Sequence, residues 1–208
     1  MHNGKTGLNL LPPSNLYRDF SLHLSQETAM RIPLALTCCI ALSGCATPPP
    51  PSPALGHLLD TIDRRLDLAE TVALHKWDQR QAVQASAREE QVLASARQAA
   101  PAHQLDPARA AAFFADQMEA NKLLQYQLLD SWHLARKAPS LAQRDLGKEV
   151  RPELDRLQEQ LLAALARFDQ AMPGDCATQL ADALQQRTHN PARHLALVRA
   201  SGQLCKTP

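Results

Sequence analysis

The chain has 208 residues, 45% of them apolar and 21% charged, with a formal net charge of +1. That is an ordinary globular balance, and a charge so near zero excludes a bulk basic field for holding nucleic acid. Glycine is scarce (7), while alanine, leucine and glutamine abound, which favours helix over sheet in one or two domains.

In chain order, residues 1–29 do not look like the start of an export signal. They read as a non-native or disordered extension, with Met30 as the true start. From Met30 a short basic start precedes the apolar run Ile32 to Leu42, which suits a signal-peptide core and is too short to span a bilayer. Its end, Leu42-Ser43-Gly44-Cys45, resembles the lipobox of bacterial lipoproteins. That resemblance implies lipid on Cys45 and membrane anchoring; ordinary cleavage nearby and a buried helix are the alternatives. Residues 46–53 form a linker in which Pro48 to Pro53 predicts stiff polyproline II, a spacer of roughly 20 Å.

Cysteine usage agrees with export. Cys38 and Cys39 sit in the signal core and Cys45 is the lipid candidate, which leaves Cys176 and Cys205 for the folded part. In an oxidising compartment one such pair reads as a disulfide closing a loop of roughly 30 residues, worth about 3–4 kcal/mol. Two buried thiols are the alternative.

Residues 54–208 read as five helices without a convincing strand. The first runs from about Ala54 to Ala99, with an apolar stripe at Ile62, Leu66, Ala69, Ala73 and Trp77. Asp106-Pro107 caps and starts the second. Its stripe is Phe114, Met118, Asn121, Gln125, Leu128 and Trp132. Arg136 to Ser140 is a connector. The third helix carries Leu146, Val150, Leu154, Leu157, Leu161, Leu165, Phe168 and Met172, and Pro173-Gly174 ends it. A fourth spans about Cys176 to Gln186, and Asn190-Pro191 opens a fifth that reaches about Gly202. The fold class is therefore all-α, a single-domain bundle built on one long N-terminal helix.

Polar residues on the inner faces carry the functional signal. Arg65 and Lys76 lie eleven positions apart, close to three full turns, and so share a face. Asn121 and Gln125 are four apart in the centre of an apolar stripe, where an unpaired amide costs roughly 1–3 kcal/mol. An interhelical polar pair is the bland account of them, and contact with a ligand the sharper one. Arg88 and Arg151 add two more cations, with few acidic residues at matching positions. Inward cations need an anion, which points to a polyanionic ligand. The eight histidines are scattered, with no metal-ligand spacing, and no cofactor is implied.

The ordered set Arg65-x10-Lys76-Trp77, Arg88-Glu89-Glu90-Gln91, Asn121-x3-Gln125 and Arg151-x5-Leu157 resembles the all-helical (type II) chorismate mutases. The secreted, periplasmic subclass is the nearest in pattern, with Phe114 to Trp132 and the terminal cysteine pair fitting it. The resemblance covers about Leu58 to Cys205. It implies a Claisen rearrangement of the dicarboxylate chorismate to prephenate, without covalent catalysis, metal or cofactor. It further implies that Lys76 and Gln125 donate to the ether oxygen, with Arg88 among the catalytic cations. Arg65, Arg88 and Arg151 would hold the carboxylates, Asn121 would support the carboxylate or hydroxyl end, and Glu89 would accept from the ring hydroxyl. The family commonly places an acid three positions before the arginine at 88, where this chain has Ala85. Relatives are often dimers, and the long first helix is a candidate interface. The alternatives are a helical envelope adaptor and a mutase-like protein that binds without turnover.

Overall fold

The computed structural model describes residues 52–206 apart from residue 143. The signal-like run, Cys45, the extension 1–29 and most of the linker lie outside the described residues. Among those described, six α-helices are present and no strand.

Helix α1 (Pro53–Gln79) starts where the linker ends. The Ser52 side chain accepts from the Leu55 N–H and Pro53 takes the first helical position, where its missing N–H costs nothing. The helix does not run on to Ala99, which corrects the sequence reading. Arg80 turns into the left-handed region (φ 51°), and the Arg80 and Gln81 N–H groups close back onto the Trp77 and Lys76 carbonyls. The chain restarts as α2 (Ser86–Ala99). Two local gains offset the lost helical bonds. Val83 becomes buried, worth about 1.5 kcal/mol, and the Glu89 carboxylate accepts from the Ala85 N–H at the new helix start. Arg-Gln-Ala-Val-Gln-Ala (residues 80–85) holds neither Gly nor Pro, so no stop was legible there.

A 3-10 turn (Ala100–His103) leads to α3 (Pro107–Ala135), which is capped by Asp106 as its sequence predicts. A π-helical turn (Leu146–Val150) then runs into α4 (Arg151–Gln170), with Pro152 in its first turn. Helices α5 (Cys176–Arg187) and α6 (Pro191–Ala200) complete the unit, with Asn190 capping α6.

Helix α1 packs on α3 and α4, and α2 and α6 each pack on α3. The predicted stripes are the core: Ile62, Leu66, Phe114, Leu161, Leu165 and Phe168 are all buried. At the far end, Cys176 and Cys205 form a disulfide, with Cα atoms 5.7 Å apart. Buried Arg109 pairs with Asp169 at 2.8 Å and donates to the Gln203 and Leu204 carbonyls. The C-terminal turn is thus tied to α3, α4 and α5. No helix of the described residues is long and apolar enough to cross a membrane.

Candidate active site

Helices α1 to α4 enclose a cavity of about 120 Å³. Room for one water needs roughly 10–15 Å³ on this measure, so the space suits a small organic molecule. Arg65 and Lys76 reach it from α1, Arg88 and Glu89 from α2, and Asn121 and Gln125 from α3. Val72, Val92, Phe114 and Met118 supply apolar wall. Side chains distant in sequence meet here because the inner stripes of α1 and α3 face one another across the core.

Arg65 is 7% exposed. Its Nη1 donates to the Gln117 carbonyl at 3.4 Å, its Nε has no partner, and no carboxylate pairs with it among the described residues. Burial lowers its pKa to about 10, with the neighbouring Arg88 charge adding to the effect, so it remains a cation at neutral pH. Such a group is costly unless an anion completes it.

Lys76 donates to the Val83 carbonyl, which uses one of its three N–H groups. Desolvation pulls its pKa below the usual lysine value; Glu89 opposes this and Lys122 adds to it. The Gln125 amide donates to Asn121 Oδ1 at 2.7 Å, and the Asn121 amide to the Arg65 carbonyl at 3.5 Å. Gln125 Oε1 is buried without a partner. The two amides therefore do pair across one turn, yet they keep unused polar capacity at the cavity.

Glu89 is heavily engaged. Oε1 accepts from the Ala85 N–H at 3.0 Å, and Oε2 accepts from Gln84 at 3.1 Å and Lys122 at 3.0 Å. Desolvation pushes its carboxyl up, but these donors outweigh it and hold the group below the usual carboxylate range.

Two of the cations lie at the edge of the site. Arg151 is exposed and does not line the cavity. It nevertheless shares a face of α4 with Leu154, Asp155 and Gln158, three, four and seven positions on, which do line the cavity, so it stands at the mouth end of that face. Arg88 is not without an acid: its guanidinium meets Asp155 on α4 at 3.0 Å, at the open rim. Six cavity residues were missed: Val72, Val83, Val92, Lys122, Asp155 and Gln158. Gln158 lies four positions after Leu154 on an apolar stripe and donates to Ser95 at 2.9 Å, the same polar-in-apolar signal that marks Asn121. Lys122 follows Met118 at the same spacing.

The arrangement presents guanidinium, ammonium and neutral amide donors in a partly apolar hollow. It can hold a small dianion and stabilise negative charge that develops during a reaction.

Residues 56–126 match the family model described as chorismate mutase type II. Solved chorismate mutases from Burkholderia phymatum and Burkholderia thailandensis are 34% and 35% identical, with TM-scores of 0.70 and 0.66. Each match covers 73% of this chain, with 96% and 99% of the respective structures. The secreted chorismate mutase of Mycobacterium tuberculosis is 27% identical over 157 residues, 73% of this chain and 78% of that protein. With the identities above 30% spanning nearly the whole of two solved relatives, the chain belongs to the type II chorismate mutase family.

Proposed function

We propose that this protein converts chorismate to prephenate outside the cytoplasm, using one cavity within a single chain. The observation that carries the reading is Arg65, a buried cation with an unpaired Nε, set beside Lys76 and two amides in one hollow. The rearrangement breaks a C–O bond and forms a C–C bond within one molecule. It needs the dicarboxylate held compact and the ether oxygen stabilised as it gains charge. Lys76 has two N–H groups to offer that oxygen, and the second Gln125 N–H complements them. Arg65 and Arg88 hold the carboxylates, Arg88 exchanging Asp155 for the substrate. Asn121 supports the hydroxyl or carboxylate end. Glu89, which three donors already engage, has little acceptor capacity left for the ring hydroxyl. Arg151, outside the cavity lining but on the face of α4 that carries Asp155 and Gln158, keeps its expected role on a carboxylate at the cavity mouth.

Ala85 lines the cavity where an acid is common in the family, which gives weight to a second reading, binding without turnover. Loss of chorismate absorbance in the ultraviolet with purified protein separates the two. Turnover is expected, and Lys76→Ala is expected to lower kcat by about 10²–10³, the usual effect of losing one such donor. A folded wild-type protein that binds chorismate without consuming it would overturn the enzyme reading.

Export is supported by the secreted relative and by the disulfide. Lipid on Cys45 belongs to this proposal, and mass spectrometry of the mature N-terminus tests it. A homodimer is a further part, to be read by sedimentation. Helix α1 turns His57, Asp60, Arg64 and Asp67 to solvent, so its outer face is a poor apolar interface.

A further inference from the structure

Lys122 lines the cavity, yet it is not placed to hold a ligand. It is 8% exposed, and its ammonium donates to Gln84 Oε1 at 3.1 Å, Glu89 Oε2 at 3.0 Å and Glu119 Oε1 at 2.7 Å. An ammonium has three N–H donors, and all three are used. What Lys122 contributes to the cavity must pass through the groups it holds.

Those groups fix one end of the turn between α1 and α2. Gln84 is tied to Lys122 directly, and Ala85 is tied to Glu89, which Lys122 also holds. The other end is closed on α1 by the Arg80 and Gln81 N–H groups. Between the two ends, Val83 buries its side chain and presents its carbonyl to Lys76 Nζ. A lysine stem is flexible over four carbons, so a fixed acceptor sets where the ammonium sits before substrate arrives.

We propose that Lys122 is a positioning residue: it clamps the 80–85 turn through Gln84 and Glu89 so that the Val83 carbonyl holds the Lys76 ammonium at the reacting oxygen. The clamp links α3 to α1 through a segment that holds Lys76 by the Val83 carbonyl and lines the cavity with Val83 and Ala85. It rests on the mutase reading above.

The test is a double-mutant cycle with steady-state chorismate kinetics. Lys122→Met keeps the aliphatic stem and removes the charge. It is expected to lower kcat about tenfold to a hundredfold, the scale of a misplaced reacting group, with KM nearly unchanged. Lys122→Arg, whose guanidinium can serve the same acceptors, is expected to recover most of the loss. In a Lys76→Ala background Lys122→Met is expected to change kcat no further. Gln84→Ala, at an exposed position, gives a smaller loss in the same direction and carries the cycle if Lys122→Met does not fold. A raised KM at constant kcat would make Lys122 a direct ligand and overturn the clamp. So would losses that multiply in the double mutant. Were the wild type inactive, the mutase reading would fall, and hydrogen exchange of the Ala85 N–H would decide the clamp alone. Faster exchange in Lys122→Met, or in Gln84→Ala, supports it, and unchanged exchange rules it out.

Discussion

Protonation decides what the proposed donors can do. Lys76 must be an ammonium and Arg65 a guanidinium, and desolvation lowers the pKa of both, Arg65 to about 10. Activity therefore holds from mildly acidic to neutral pH. It falls on the alkaline side as each cation loses its proton at a lower pH than it would in water. Bound dianion favours the charged forms, so the alkaline limb of kcat should lie above that of kcat/KM. Gln125 donates at any ordinary pH, whereas a glutamate there must be protonated to donate. Gln125→Glu should thus shift the optimum downward in a pH–rate series, and an unchanged profile would remove Gln125 from the ether oxygen. At this scale the sequence was legible where a polar residue interrupted an apolar stripe, as at Asn121 and Gln125. It was not legible at Val83, whose burial belongs to a turn that nothing local predicts. Nor did it show the Asp155 partner of Arg88, since a carboxylate on another helix leaves no local trace.

Helix boundaries follow their caps. Asp106 and Asn190 both mark real starts, because each acts within one turn of itself. Asp106→Ala should cost about 1 kcal/mol and lower Tm by about 2–4 °C, with kcat unchanged, as thermal melts and the absorbance assay would show. The reason is distance: Asn121 is fifteen residues further on, about 22 Å along the axis. The break at Arg80 is the opposite case. Its local sequence permits a helix, and what stops it is the burial of Val83 and the hold of Lys122, Glu89 and Lys76 on the turn. Without that break, the wall of the cavity nearest Lys76 would be absent.

The cavity lies among α1 to α4, whereas the disulfide and the Arg109 network secure α5 and the C-terminal turn. Stability and chemistry are thereby separable in this molecule. Reduction, or Cys176→Ala with Cys205→Ala, removes the loop closure worth about 3–4 kcal/mol. That should lower Tm by roughly 10 °C while kcat well below the melt stays near wild type. A collapse of kcat at low temperature would show that the C-terminal clasp supports the cavity after all. The amino-acid sequence by itself determined the all-helical class, most helix starts, the core stripes and the inward set Arg65, Lys76, Asn121 and Gln125. These follow from periodicity and capping, which act over one or two turns. Only the tertiary structure decided that α1 ends at Gln79, that Arg88 meets Asp155 and that Lys122 is fully occupied. Each of those depends on side chains more than thirty positions apart, or on a burial gain no local segment can realise alone.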